Sequence, residues 1–236
     1  MRLLLTRPIQ ESEKTARMLN KSGASVTIDP LINITFGTKT PIDLSQMQAI
    51  IFTSVNAVRA YQRNYDDCSL PAYTVGAKTA LAAQGIGIKK VINADGDVKK
   101  LSNTIADALN SRKSALFYPC GNHVAGTLQD DLERIGFKII KEVLYHAEAA
   151  TELKENTKKL LKSGMIDFIP FYSPRSALIF IELVKNAGLK NSMNNISALC
   201  LSPAIEKIVA RLNWKKILTS TKPAQSDLFK LINIEL

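Results

Sequence analysis

The sequence has 236 residues, 46% hydrophobic and 22% charged, the balance of a globular chain long enough for one large or two small domains. No apolar run approaches the ~20 residues that span a bilayer, and Arg2-Leu3-Leu4-Leu5-Thr6-Arg7-Pro8 is too short and too soon charged for a secretory leader. Lys and Arg outnumber Asp and Glu by 31 to 21, and the resulting net charge of +10 suits an anionic partner as readily as it suits a lysine-rich solvated surface.

Strand-like runs occupy residues 3–5, 25–34, 49–52, 72–75, 90–93, 114–118, 138–145, 168–172, 198–201 and 216–219. The segments between them carry apolar residues at helical spacing, as in Thr104-Ile-Ala-Asp-Ala-Leu109 and Ala204-Ile-Glu-Lys-Ile-Val-Ala-Arg-Leu212. Such alternation predicts an α/β protein with doubly wound parallel sheets covered on both faces. Cys68, Cys120 and Cys200 have no paired spacing, which agrees with a reducing, cytoplasmic setting. The basic residues come in scattered pairs, among them Lys89-Lys90 and Lys158-Lys159, and aromatic residues make up only 6% of the chain. No nucleic-acid partner and no membrane partner are expected.

The chain repeats a plan. "LLLTRPIQESEKTARMLNKSG" and "ALFYPCGNHVAGTLQDDLERIG" each read as a strand, a polar turn and a helix closing on Leu-x-x-x-Gly, and the interval from Thr6 to Gly23 equals that from Pro119 to Gly136. Ser54 then pairs with Ser173, "YTVGAKTALAAQ" with "LCLSPAIEKIVA", and "VINADGDVKKLSNTI" with "ILTSTKPAQSDLFKL". Identities are few, but the matched order favours a duplicated domain.

Each repeat places hydroxyls or glycine where a strand runs into a helix. These turns are Thr6-Arg7-Pro8, Thr53-Ser54, Gly76-Ala77-Lys78-Thr79, Pro119-Cys120-Gly121-Asn122, Ser173-Pro174-Arg175-Ser176, Ser202-Pro203 and Ser220-Thr221-Lys222. Singly, each reads as a helix cap, several with Pro at the first helical position. Together, at the carboxyl ends of parallel strands, they form a rim of backbone N–H groups and helix N-termini suited to carboxylates or phosphates. Candidate binding residues are Arg7, Thr53, Ser54, Gly76, Thr79, Gly121, Asn122, Ser173 and Ser202. The sequence lacks a nucleotide phosphate loop, a G-x-S-x-G elbow and a dinucleotide fingerprint, and Cys120-Gly-Asn-His123 has no second ligand pair, so no cofactor and no metal are expected. Tyr145, at the end of a predicted strand, is either a half-buried packing group or a proton donor.

"LLLTRP", "IIFTSVNAV", "TVGAKTA", "FYPCGN", "VLY", "FYSPRSA" and "CLSPAIEKIVA" occur in an order and spacing that resembles the uroporphyrinogen-III synthase family over almost the whole chain. The resemblance implies two flavodoxin-like domains joined by two crossover strands with a cleft between them. Residues 1–34 with 147–236 would form one domain and residues 37–146 the other. It implies a lyase of porphyrin and haem biosynthesis that takes hydroxymethylbilane, a linear tetrapyrrole with an acetate and a propionate on each ring. The enzyme would remove water and close the macrocycle with inversion of the last ring. Ser54, Thr79, Tyr145 and Ser173 stand at positions the family associates with its site, Tyr145 as the candidate catalytic group. Relatives often carry Thr in the turn matched by Ser202-Pro203-Ala204-Ile205, which here leaves backbone N–H groups as donors. A monomer is expected. The alternative is a two-domain small-anion binding protein without catalysis.

Overall fold

The computed structural model describes residues 1–38, 41–124 and 126–235. From the start of the chain come β1 (Arg2–Leu5), α1 (Ile9–Lys21), β2 (Ser25–Ile28) and β3 (Ile32–Phe36). Next are β4 (Met47–Phe52), α2 (Val55–Asn64), β5 (Ala72–Thr74), α3 (Ala77–Gly85), β6 (Val91–Asn93), α4 (Val98–Ala108), β7 (Ala115–Gly121), α5 (Leu128–Arg134) and β8 (Ile139–Ala149). The chain ends with α6 (Glu155–Lys162), β9 (Phe168–Phe171), α7 (Pro174–Asn186), β10 (Ser197–Cys200), α8 (Pro203–Val209), β11 (Lys216–Thr219) and α9 (Gln225–Lys230). The chain divides into two compact units, Met1–Asn33 with Glu148–Leu236, and Ile34–Ala147.

The first unit holds a parallel sheet in the order β11-β10-β9-β1-β2. Its central strands are apolar on both faces. Leu3 and Leu5 join Leu19, Leu228 and Phe229 on one side, while Leu4, between them, joins Ile169, Phe171, Phe180 and Val184 on the other. The period-2 alternation of side chains therefore distributes one Leu-Leu-Leu run between two helical layers.

The second unit holds the order β3-β8-β7-β4-β5-β6. Ile51, Leu116 and Tyr118 meet Leu101, Ile105 and Leu132 on one face. On the other, Phe52 and Phe117 pack against Tyr61 of α2, at ring separations of 5.5 and 6.2 Å. When its strands are taken as β7, β8, β4, β5, β6, this sheet has the same spatial order as β1, β2, β9, β10, β11 in the first unit. Both are the 2-1-3-4-5 arrangement of flavodoxin-like sheets, with the reversal of strand order at β1/β9 in one and at β4/β7 in the other. The paired segments of the sequence repeat are the equivalent strands.

Three strands differ from the sequence expectation by more than two residues. The run 25–34 is broken into β2 and β3 at Asp29-Pro30-Leu31. There the amides of Asp29 and Leu31 turn to the carbonyls of Leu5 and Thr6, and the Asp29 carboxylate accepts from the Lys154 amide at 2.9 Å. β7 continues through Pro119 to Gly121, where a turn was expected. Its amides alternate sides: Leu116 donates to Lys138 and Ala115 to Gln46, so the absent N–H of Pro119 lies on the β4 side, where the pairing stops at Phe117. β8 runs past Tyr145 to Ala149, which places Tyr145 within a strand rather than at its end.

The first unit is pinned beside β1 and β9 by a reciprocal pair. The Asp167 carboxylate accepts from the Arg2 amide at 2.8 Å and from its guanidinium at 2.6 Å, and the Asp167 amide returns a bond to the Arg2 carbonyl at 2.9 Å. The guanidinium bond holds the Asp167 carboxyl below the ordinary aspartate range. A lowered folded-state pKa means stability that is present above the unfolded pKa and lost as pH falls through the folded one. Asp167→Asn is expected to be less stable than wild type at neutral pH. The gap should narrow below about pH 4, where unfolded aspartate protonates, and thermal melts across that range would show it. A gap that is constant with pH would mean the ion pair contributes nothing.

Candidate functional site

The strand-order reversal in the second unit lies between β4 and β7, and the groups gathered at the carboxyl end of this pair are hydroxyls. Ser54 follows β4 in extended conformation (φ −153°, ψ 155°) and caps α2, its Oγ accepting from the Ala57 amide at 3.1 Å. The same Oγ lies 3.0 Å from the Tyr145 hydroxyl. Either hydroxyl can donate to the other, and when Ser54 donates to the phenol the phenol proton is left to a further acceptor. Beside this pair, Thr53 Oγ1 lies 3.3 Å from the hydroxyl of Tyr118. Burial pushes the Tyr118 phenol up to about 12, against the opposing bond from Thr53, so it stays protonated at neutral pH.

Tyr145 is 8% exposed. Asn122 grips the strand on both sides of it: the Asn122 amide donates to the Tyr145 carbonyl at 3.1 Å, and the Asn122 Oδ1 accepts from the Ala147 amide at 2.8 Å. Phe36 packs against the Tyr145 ring at 6.3 Å and is itself covered by the Arg63 guanidinium at 4.5 Å. Thr53, Ser54, Gly121, Asn122 and Tyr145 are thus one cluster. Gly76 lies on the neighbouring turn after β5. Thr79 is buried at 5% exposure, at the third position of α3.

In the first unit the reversal lies between β1 and β9. The Arg7 guanidinium donates to Glu11 and to Gln225, each at 3.2 Å, and its carbon sits 4.5 Å above the ring of Tyr172. The Tyr172 hydroxyl is buried with no hydrogen-bond partner among the described residues, and burial raises its pKa while Arg7 opposes the rise. Ser173 repeats the geometry of Ser54 (φ −149°, ψ 149°), with its Oγ accepting from the Ser176 amide at 3.2 Å. Gly76 and Ser202 likewise share one conformation (φ −160°, ψ 167° and φ −157°, ψ 159°). Neither α3 nor α8 has a side-chain cap bond, so the first amides of α3 and, because α8 opens on Pro203, the Ala204 amide of α8 suit a carboxylate at the positive ends of the helix dipoles.

Tyr118, Tyr172 and the clamping role of Asn122 were not singled out from sequence. "ALFYPCGN" and "FYSPRSA" do place each tyrosine within two residues of a predicted turn, and that is the only signal they carry. No group of three or more His, Cys, Asp or Glu side chains able to hold a metal occurs among the described residues. His123 and His146 are both exposed. The arrangement can bind carboxylates through amides and supply hydroxyl hydrogen bonds.

The family profile described as uroporphyrinogen-III synthase HemD matches residues 13–230. The chain belongs to the uroporphyrinogen-III synthase family. The uroporphyrinogen-III synthase of Chlorobaculum parvum is 24% identical over 220 residues, covering 87% of this chain and 89% of that one. The crystal structure of the Helicobacter pylori enzyme superposes with a TM-score of 0.65 at 16% identity, covering 98% of each chain. A mutant of the Thermus thermophilus synthase gives 0.59 at 14% identity, over 98% of this chain and 96% of that one. These two structures agree with the fold. Membership of the family makes the chain an enzyme, a cyclising lyase of tetrapyrrole synthesis with a small-molecule substrate, and disfavours the binding-protein alternative.

Gly76 offers a test of the amide rim. A Cβ there would meet nothing within 4 Å, and its backbone is not in the left-handed region, so neither packing nor conformation requires glycine. Gly76→Ser should fold as well as wild type or better by a few tenths of a kcal/mol, roughly the preference of a serine cap over glycine. Its hydroxyl would occupy the α3 amides, and KM should rise about fivefold for a lost bond of roughly 1 kcal/mol. An unchanged KM would remove these amides from the site.

Proposed function

We propose that this chain converts hydroxymethylbilane to uroporphyrinogen III in haem biosynthesis, acting as a monomer in the cytoplasm, with Tyr145 assisting departure of the hydroxyl. The family match across residues 13–230 supports the reaction. The observation that supports the residue role is the 3.0 Å contact between the Tyr145 hydroxyl and Ser54 Oγ at the β4/β7 crevice. Cys120 and Cys200 are buried and Cys68 is half-buried, and none of the three forms a disulfide, in keeping with a reducing compartment. No described helix is long and apolar enough to cross a membrane.

The chemistry asks little of the protein in acid or base strength. The electron-rich pyrrole expels hydroxide, and the protein supplies a hydrogen bond to the departing oxygen. A phenol is too weak an acid to protonate fully a poor leaving group, so Tyr145 acts by hydrogen bonding, with Ser54 stabilising the charge that develops on its oxygen. The harder task is regiochemical. The last ring must be attacked at its substituted carbon instead of the free one, and holding a flexible chain in that pose supplies several kcal/mol without a strong base. The uncapped amides of α3, with Thr53 and Ser54 beside them, take substrate carboxylates in the second unit. In the first unit the Ala204 amide beyond Ser202 offers the same chemistry, while Ser173, already capping α7, offers its hydroxyl. Arg7 is engaged by Glu11, Gln225 and Tyr172, so its role is to add positive potential and brace the turn.

Chelator-treated protein, with no nucleotide or flavin added, is expected to yield the type III ring from hydroxymethylbilane, where buffer alone gives mainly the uninverted type I ring. Formation of type I alone by folded protein would refute the reading, whereas mere loss of substrate would not support it. Tyr145→Phe should slow turnover by about ten- to a hundredfold, the equivalent of roughly 1–3 kcal/mol in the transition state, with little change in melting temperature. Wild-type turnover with an unchanged isomer ratio would make Tyr145 a packing residue.

A further inference from the structure

The sequence places Gly121 on the substrate rim, but the structure buries it beneath a side chain. A Cβ built on Gly121 would stand 2.6 Å from Cζ, 2.7 Å from Cε2 and 2.9 Å from the hydroxyl oxygen of Tyr145. All three are nearer than a side-chain carbon and a ring can approach. Gly121 is not in the left-handed region, so close approach and not backbone conformation is what demands glycine. The atoms it would strike are those that carry the phenol oxygen.

Strand register explains why the ring lies there. β7 and β8 pair regularly from Leu116 with Ile139 to Cys120 with Val143, and the next pair is Gly121 with Tyr145. Leu144 is left without a partner on β7, a bulge on β8. Its carbonyl instead accepts from the Gly37 amide at 3.2 Å. Because side chains alternate along a strand, one inserted residue reverses which face the following side chains take. The bulge therefore lays Tyr145 across the backbone of Gly121, and the two Asn122 bonds fasten the strand immediately afterwards. With a Cβ beneath it the ring would have to lift, and the 3.0 Å bond to Ser54 could not survive the movement.

We infer that Gly121, with the Leu144 bulge and the Asn122 clamp, is a positioning residue that sets the Tyr145 hydroxyl against Ser54. The inference rests on the reading of Tyr145 as the hydrogen-bond donor of the reaction, and its test separates the two. Gly121→Ala, Tyr145→Phe and the double variant are to be compared for kcat, KM and ring isomer, alongside the isotope-labelled tyrosine NMR resonance of Tyr145. Gly121→Ala should lower kcat by about as much as Tyr145→Phe does, ten- to a hundredfold, with KM within about twofold. The double variant should be no slower than the slower single one, because a ring without its hydroxyl has no reactive atom left to misplace. The Tyr145 resonance, identified by its loss in Tyr145→Phe, should move in Gly121→Ala.

Full activity in Gly121→Ala beside a slow Tyr145→Phe would overturn the positioning role and leave the donor role standing. Multiplicative losses in the double variant would overturn it too, since Gly121 would then act independently of the phenol. Wild-type turnover in Tyr145→Phe would refute the donor reading, and the resonance would still decide placement, an unmoved signal overturning the inference. If Gly121→Ala does not fold, Asn122→Ala takes its place, with the same non-additivity and the same shift expected.

Discussion

Everything proposed for this enzyme depends on a parallel strand pair whose two strands pass the chain to opposite sides of the sheet. At β4/β7, and again at β1/β9, consecutive connections diverge, and the helices that follow cannot close over the gap. The carboxyl ends of the strands therefore stay open, ringed by helix N-termini whose amides have no partner within the helix. A crevice of this kind is a consequence of sheet topology before any side chain is considered. The side chains at its edge determine what it does.

Ser54 illustrates how few groups are needed. One oxygen terminates a strand, caps α2 through the Ala57 amide and meets the Tyr145 hydroxyl. Ser173 caps α7 in the same way and meets Ser176 at 2.7 Å instead of a phenol. The duplicated architecture thus holds two equivalent serines, of which only the one in the second unit adjoins a tyrosine from a long crossover strand. The difference lies in what β2 and β8 become after pairing. β2 stops at Ile28, ahead of Asp29-Pro30, while β8 continues past its bulge and delivers Tyr145.

The electrostatics are correspondingly mild. Among the described tyrosines, burial moves Tyr118 and Tyr172 toward greater reluctance to ionise, and the hydroxyl and guanidinium beside them oppose the shift only in part. Neutral donors that stay neutral suit a reaction in which the substrate provides the electron push and the protein fixes the pose. Arg7 and Arg63 each lie over an aromatic ring, so part of the excess positive charge is used to brace the rims of the two units.

Much of this was legible in the residues alone. Apolar runs alternating with helical periodicity, hydroxyls at strand ends and the spacing of Leu-x-x-x-Gly specify parallel sheets, caps and duplication, because burial, chain direction and capping are local demands. The equivalences of Ser54 with Ser173 and of Gly76 with Ser202 follow from that spacing, and their matching dihedral angles are the structural expression of it. What sequence could not supply was register. A bulge at Leu144, a strand carried through Pro119 and a break at Asp29-Pro30 each depend on which neighbour offers a carbonyl or leaves one unused, and the neighbours are far away along the chain. Gly121 is the clearest instance. Read by itself it is a turn glycine, and only the arrival of Tyr145 from another strand, displaced by one residue, makes the missing Cβ the condition for placing the phenol.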